Sequence, residues 1–376
     1  MENKRTFLKT INTDFFEFAP NKFKSKFYSM KHLIYEKIIE IKSPSLYVCN
    51  KTTKFDKCFV GNTLRGDYVF LKEEILSKIR QNKISKTDKD SLLKQIRALF
   101  ENNFSLVVFP EKNITLFGKC ETIPKTITEF LVETKYDLKF LYLINTYFTN
   151  PVWASHPRKC DAKFSQQFSV THECLSALSP DERNEKINKM MPSSASNYAS
   201  KFKPLIRSNN LAEDLETIMY CCPHCGKFFS LYSEFNCLKC HECMKVIEFT
   251  RDGRILFSSA ITNYDEIENF LFEKLKQIGF TVLPIVKHSD IIFNEISNDK
   301  TKSKPQVVSL DIYADKIEIK NDNLSKKIKI SSIQDIVLEP NNQLRLTMND
   351  KTLTMQGKNK QNLYILFDLL KLHKNA

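Results

Sequence analysis

Ser105-Leu106-Val107-Val108-Phe109-Pro110-Glu111-Lys112-Asn113-Ile114-Thr115 is the stretch on which the fold of this 376-residue chain turns. Leu106 to Phe109 is an apolar run rich in β-branched valine, the pattern of a short strand buried on both faces. Pro110 ends it, because proline has no N–H to give to a sheet ladder, and Glu111 then sets a carboxylate just past the strand's carboxyl end. A second run, Ser45-Leu46-Tyr47-Val48-Cys49, leads into Asn50-Lys51-Thr52-Thr53-Lys54-Phe55-Asp56. In an open α/β sheet, the crevice beyond the carboxyl ends of the strands is where ligands bind. Phe-Pro-Glu alone is equally consistent with an ordinary strand-ending turn. The pair of strands, each followed by polar residues, is what marks a candidate site.

The surrounding pattern supplies the rest of a layered domain. Met30 to Ile41 has helical spacing and is expected to lead into the first strand. Tyr68 to Ile75 reads as a strand turning into a helix, and Ser91 to Phe100 as an amphipathic helix through Leu92, Leu93, Ile96, Leu99 and Phe100. Thr126 to Val132 gives another helix, Lys139 to Ile144 another strand, and Asp181 to Met191 a closing helix before a Pro-Ser-Ser-Ala-Ser-Asn linker. Strands alternating with helices predict parallel pairing in an α/β domain.

The two strand tips together resemble the glycerolipid acyltransferase family, the 1-acylglycerol-3-phosphate or lysophospholipid acyltransferases. That family carries Asn-His-x-x-x-x-Asp after one strand and Phe-Pro-Glu-Gly-Thr-Arg-Ser after a later one. Here the first motif reads Asn50-Lys51, four residues, Asp56, and the second Phe109-Pro110-Glu111-Lys112-Asn113-Ile114-Thr115. The resemblance covers residues 30 to 195 and implies acyl transfer from acyl-CoA or acyl carrier protein to a lysophospholipid hydroxyl. It implies catalytic positions at Lys51 and Asp56, and substrate-binding positions at Asn50, Pro110, Glu111, Lys112 and Thr115. The departures fall on the chemistry. Acyl transfer needs a base whose pKa lies near working pH, and Lys51 stands where the family has histidine; a solvated ammonium titrates near 10.4. Ile114 replaces the arginine that would grip a glycerol phosphate, and Lys112 replaces the glycine. Lys86 is aligned loosely with a further phosphate-binding arginine. His156 and Asp161 do form a His-x-x-x-x-Asp, but after the wrong strand.

Composition sets outer limits. The net charge of +13 favours anionic partners, nucleic acid or an anionic membrane face, although the lysines are dispersed and serve equally as solvated surface. No apolar run approaches the roughly 18 residues of a membrane-spanning helix, and no signal peptide is recognised. The expected place is the cytoplasm, with peripheral attachment at the inner face of the plasma membrane. Residues 1–43 form a basic, Phe-rich leading segment. Phe7, Leu8, Ile11, Phe15, Phe16, Phe18, Phe23 and Phe27 alternate there with Lys4, Arg5, Lys9, Lys22, Lys24 and Lys26. They suit either an interfacial membrane segment or one packed on the following domain.

Of 11 cysteines, six fall between Cys221 and Cys243. Cys222-x-x-Cys225 and Cys240-x-x-Cys243 are two knuckles separated by 14 residues, the spacing of a closed four-sulfur structural zinc site in a zinc ribbon. Cys221 and Cys237 are spare sulfurs, and a shell using Cys237 with Cys240 is open. His224 and His241 are bystanders. Phe228 to Tyr232 and Val246 to Thr250 read as ribbon strands. No basic-aromatic cluster is visible beside the knuckles, so a stapled connector is expected over a nucleic-acid reader.

Asn263 to Ile278 reads as an amphipathic helix. From Val307 onward period-two alternation dominates, broken by Ala314-Asp315, Asn321-Asp322-Asn323, Pro340-Asn341-Asn342 and Met348-Asn349-Asp350-Lys351. A final helix from Asn359 to His373 turns Leu363, Leu366, Phe367 and Leu370 inward. Six or seven strands and a capping helix resemble the pleckstrin-homology superfold, which assigns no ligand.

The fold class expected is therefore multi-domain α+β. A leading segment (1–43) precedes an acyltransferase-like α/β domain (44–200), a zinc ribbon (215–260), a helical connector (261–300) and a β-rich pleckstrin-homology-like domain (301–376). Three functions stay open: an acyltransferase with unusual site chemistry, a non-catalytic relative that binds lipid or assembles partners, and a zinc-ribbon nucleic-acid-binding protein.

Overall fold

Two-sided burial explains why the strands read as unbroken apolar runs. The computed structural model describes residues 7, 10–18, 34–35, 39–41, 43–192, 194–257, 263–278, 284–297, 302–339, 343–349, 351–357 and 363–375. These divide into two compact units, one of residues 1–150 and 157–206, the other of 151–156 and 207–376. The first unit runs β1 (Phe16–Phe18), β2 (Ile34–Tyr35), β3 (Ile39–Glu40), β4 (Leu46–Cys49), α1 (Asp56–Thr63), β5 (Leu64–Arg65), β6 (Tyr68–Leu71), α2 (Glu73–Arg80), α3 (Lys86–Glu101) and β7 (Ser105–Val108). It continues with α4 (Lys125–Glu133), β8 (Leu138–Ile144), α5 (Thr146–Thr149), β9 (Asp161–Val170), α6 (His172–Ser176), α7 (Pro180–Lys189) and α8 (Ala195–Phe202).

Its main sheet has the order β1-β6-β7-β4-β8-β9-β2. β6, β7, β4 and β8 are mutually parallel, with Val48 opposite both Val108 and Phe140. Alternate residues of β4 enter different cores. Leu46 and Val48 pack with Leu92, Ile96 and Leu99 of α3 and Ile127 of α4; Tyr47 and Cys49 pack with Phe59 and Val60 of α1. After β4 the chain moves to one side, through β6 and β7, then crosses to β8 on the other. β4 is thus the point at which strand order reverses, and the crevice lies at its carboxyl end.

Three expectations change here. Ile34–Tyr35 and Ile39–Glu40 are short strands, where helical spacing over Met30 to Ile41 predicted a helix; β2 pairs with β9 and β3 with β5. A β-branched window that short fits both periods. In the leading segment Ile11, Phe15 and Phe16 are buried in the α3-side core, and β1 pairs antiparallel with β6. Those residues pack on the domain; the residues around Phe23 and Phe27 lie outside the described ones. The expected linker after Pro192 is part of the first unit. Ser194 accepts a hydrogen bond from the Asn197 amide and so caps α8.

The second unit begins with the ribbon, β10 (Leu231–Glu234), β11 (Cys237–Cys240), β12 (Val246–Phe249) and β13 (Ile255–Leu256), in that spatial order. Helix α9 (Tyr264–Lys276) follows, capped by the Asn263 side chain. Then come β14 (Val286–Ser297), β15 (Gln306–Ile312), β16 (Lys316–Asn321), β17 (Leu324–Lys329), β18 (Asp335–Glu339), β19 (Gln343–Thr347) and β20 (Lys351–Gly357), and helix α10 (Ile365–Asn375). The antiparallel sheet has the order β17-β16-β15-β14-β20-β19-β18 and curls into a half-barrel. β14 lies in what was read as a helical connector. A register shift between His288 and Ile291, with Asp290 at φ +58°, breaks the alternation that would have shown it. α10 starts at Ile365, later than the expected Asn359 start; Leu366, Phe367 and Leu370 are buried on it as expected, and Leu363, two residues before it, is buried as well. The Tyr220 hydroxyl donates to buried Asp368 at 3.0 Å, tying the approach to the first knuckle to α10.

Candidate functional site

Asn50, Lys51 and Glu111 meet where the fold places a crevice. Asn50 leaves β4 and pairs with β8 on both sides of its amide: Oδ1 accepts from the Leu143 N–H at 2.8 Å, and Nδ2 donates to the Leu143 carbonyl at 3.4 Å. The Lys51 N–H donates to a Glu111 carboxylate oxygen, which stands just beyond β7. The other Glu111 oxygen accepts from the Glu121 N–H at 2.8 Å. Residues after β4 are thereby bonded to both neighbouring strands.

The Lys51 side chain turns away from Asp56. Its ammonium donates to the Lys112 carbonyl at 2.8 Å and lies 3.6 Å from the Glu73 carboxylate. Glu73 also pairs with Arg80 at 2.7 Å, and Arg80 donates to the carbonyls of Pro110 and Glu111 at 3.3 Å. Lys112 and Asn113 give their backbone N–H groups to Glu121, and Thr115 is buried. Arg80, Glu73 and Glu121 hold the second motif in place, and none was marked by sequence. Arg80 reads as one more polar position on an amphipathic helix. Lys86, the loose match to a phosphate-binding position, is exposed in the first turn of α3.

Asp56 is saturated by its own loop. One oxygen accepts from the Thr52 N–H and, at 2.9 Å, from the Thr53 N–H; the other accepts from the two threonine hydroxyls at 3.1 and 2.9 Å. Burial raises its pKa from 3.8 to about 6, against the pull of those four donors. Burial likewise raises Glu111 from 4.5 to about 8, opposed by the amides of Lys51 and Glu121 and reinforced by the charges of Glu121 and Asp56. Asp161, the other aspartate in a His-x-x-x-x-Asp, accepts from the Leu205 N–H at 2.6 Å.

Beside these residues a hollow is lined by Asn50, Thr52, Cys120, Asn145 and Tyr147 and closed by Pro192, Ala195 and Tyr198. It leaves about 10 Å³ of free space, room for about one water molecule. Gly118, at φ +81°, closes it from another side, and a Cβ there would collide with the Cβ of Ala195.

In the second unit the two knuckles fold identically. Cys222 donates its N–H to Lys227 and accepts from Gly226, both at 2.9 Å. Cys240 donates to Lys245 at 3.1 Å and accepts from Met244 at 3.0 Å. Gly226 and Met244 hold the same left-handed position, at φ +68° and +58°. The sulfurs of Cys222, Cys225, Cys240 and Cys243 all lie within 4.8 Å of one another. Cys222 to Cys243 and Cys225 to Cys240 are each 3.8 Å. Four sulfurs about 2.3 Å from one ion stand roughly 3.8 Å apart, whereas a disulfide needs about 2.05 Å. The donor set therefore fits a tetrahedral metal. Burial works against ionising Cys240, but the Ser230 hydroxyl and the amides of Cys243 and Glu242 outweigh it and bring the thiol down to about 6. Cys221 and Cys237 are outside the cluster; burial pushes the Cys221 thiol up to about 12.

No protein-family model matches the chain, and no curated protein matches it. Among solved structures, the 1-acyl-sn-glycerophosphate (LPA) acyltransferase PlsC of Thermotoga maritima is a distant match. It covers 45% of this chain and 74% of its own at 19% identity, with a TM-score of 0.32. Inner Membrane Complex sub-compartment protein 3 of Toxoplasma gondii matches over 22% of this chain and 75% of its own at 9% identity, with a TM-score of 0.18. Among the described residues no helix is long and apolar enough to cross a membrane.

Proposed function

We propose that the first unit is an acyltransferase-type α/β module that no longer catalyses acyl transfer, and that it serves as a scaffold for lipid or partner binding. The observation that carries this reading is the disposition of Lys51 and Asp56. The first motif needs residue 51 to accept a proton while residue 56 orients it. Lys51 donates to the Lys112 carbonyl and forms an ion pair with Glu73 instead, and all four bonds to Asp56 come from Thr52 and Thr53. The hollow beside them holds about one water, too little for a fatty thioester and a glycerolipid.

In the second unit Cys222, Cys225, Cys240 and Cys243 hold a structural zinc ion, whose closed shell supplies folding energy and leaves no position for substrate. The strand order and the capping helix α10 support a pleckstrin-homology-like reading of the C-terminal sheet. The test is an assay of the purified, zinc-loaded protein with acyl-CoA or acyl-acyl carrier protein as donor and lysophosphatidic acid as acceptor. No turnover is expected, and Lys51→His does not restore any. Turnover by the parent protein that Asp56→Asn abolishes would overturn the proposal.

A further inference from the structure

At ten described non-glycine residues the backbone has positive φ, and seven of these are asparagine, aspartate or lysine. The other three are bulky and apolar: Phe229, Phe235 and Met244, at φ +54°, +52° and +58°. All three are in the ribbon and all three are exposed, Met244 at 73% and Phe229 at 39%. A left-handed backbone costs an ordinary L-residue about 1–2 kcal/mol, and exposing a large apolar side chain wins nothing back in a free chain. Gly226 fills the equivalent knuckle position without that cost, so the backbone does not need a methionine at 244. An outlier of this kind points to a use for the side chain.

Phe235 is at the β10–β11 turn, away from the sulfur cluster. Phe229 and Met244 are at the cluster end, where the Phe229 N–H reaches the Tyr220 carbonyl, the neighbouring Ser230 carbonyl accepts from His241, and Met244 closes the second knuckle. Val246, 45% exposed, begins β12 at the same end. Cations stand at the knuckles too. Lys227 and Lys245 are exposed and, among the described residues, in no ion pair. Lys245 is within electrostatic reach of His224, and the Lys274 ammonium is 3.8 Å from where a Gly226 Cβ would stand. Glu242 is the acid within the second knuckle. Because Lys274 comes from α9, this basic-apolar cluster is not visible in the sequence around the cysteines.

We infer that the metal end of the ribbon docks on an anionic lipid bilayer, with Met244, Phe229 and Val246 entering the headgroup layer and Lys227, Lys245 and Lys274 contacting anionic lipid. Exposed apolar side chains and ammonium groups at the same knuckle end match that surface in both hydrophobicity and charge. Nucleic acid would match the charge but would leave Met244 and Val246 without a role, since it calls for stacking aromatics or guanidinium groups. The inference stands independently of the acyltransferase reading.

The test is co-sedimentation of the full zinc-loaded chain with vesicles of phosphatidylcholine alone or phosphatidylcholine with phosphatidylserine at roughly 3:1. Binding to the mixed vesicles, screened by salt, is expected. Met244→Gly should lower affinity about tenfold while leaving the melting temperature unchanged or higher, a combination that a purely structural methionine would not give. Lys245→Gln should lower it about fivefold. Three results would overturn the inference: no binding to either vesicle, binding that Met244→Gly and Lys245→Gln leave intact (as attachment through the leading segment would give), or salt-sensitive binding to RNA or DNA in place of vesicles.

Discussion

Replacing Asp56 by Asn separates a structural carboxylate from a catalytic one, and the expected result follows from its four donors. In the variant the amide oxygen can take both backbone N–H groups of Thr52 and Thr53, while the amide nitrogen donates to the two threonine oxygens. Thr52 can then give its own proton to Thr146, 2.8 Å away. Only the Thr53 hydroxyl loses an acceptor, at a cost of about 1 kcal/mol. Asp56→Ala instead leaves two buried N–H groups unmet, at about 3 kcal/mol in total, or a fall of roughly 6–12 °C for a unit of this size. The pH dependence sharpens the contrast. Burial raises the folded-state pKa from 3.8 to about 6, so between those values the folded chain holds more protons than the unfolded one. Stability from this group is therefore greatest below about pH 4, falls as pH rises, and levels off above about 6. The variant has no such proton. From pH 4 to pH 7 the gap between variant and parent should move in the variant's favour by on the order of 3 kcal/mol. Urea denaturation of both proteins at several pH values, with matched thermal melts, measures it. An Asn variant that loses several kcal/mol at neutral pH, with a gap flat in pH, would refute the reasoning; so would an Ala variant as mild as the Asn one.

Glu111, raised from 4.5 to about 8 by burial, acts in the same sense over a higher window, so the parent should lose stability as pH rises from about 4.5 towards 8. Glu111→Gln is expected to flatten that slope in urea midpoints taken across the range. Metal analysis of the purified protein should find about one zinc per chain, lost on Cys240→Ser together with a lower melting transition of the second unit, while Cys237→Ser keeps the metal. Gly118→Ala should destabilise the first unit by about 2–4 kcal/mol, because a Cβ there meets Ala195 and φ is +81°. A cost below about 1 kcal/mol would mean that the hollow is not closed as described.

What could be read from the chain followed burial. Leu46–Cys49 and Ser105–Val108 announce themselves because strands buried on two faces leave no polar alternation, and their pairing put both motifs at one place. The knuckles are legible because their ligands are local in sequence. The half-barrel shows through period-two alternation wherever one face meets its core. β14 does not, since the irregularity around Asp290 puts its two halves out of phase. α8 hid behind a serine-rich start that looks like a linker until Ser194 is seen to cap it. Arg80 and Glu121 were illegible for another reason. They act on backbone groups about 30 and 8 to 9 residues away, and side chain-to-backbone bonds of that reach leave no periodic trace.

Under the proposed function, the same bonds account for a motif that keeps its form without its chemistry. At a strand-order reversal the crevice is kept open when the residues beyond β4 leave their polar groups free for a ligand. In this chain Asn50 gives its amide to β8, and the backbone of Lys51 joins β4 to the acid that follows β7. The lysine's longer side chain reaches past the crevice to the Lys112 carbonyl, 2.8 Å away. Asn50, Asp56, Pro110 and Glu111 each meet a demand that the fold itself imposes, with or without turnover. The positions at which this chain differs from the motifs it resembles are Lys51, Lys112 and Ile114, and the proposed loss of turnover rests on those differences. A histidine placed at 51 would find the Asp56 carboxylate already taken by Thr52 and Thr53. On the proposed reading, acyl transfer at this place would require Asp56 to be released from Thr52 and Thr53 and α8 to be withdrawn from the hollow.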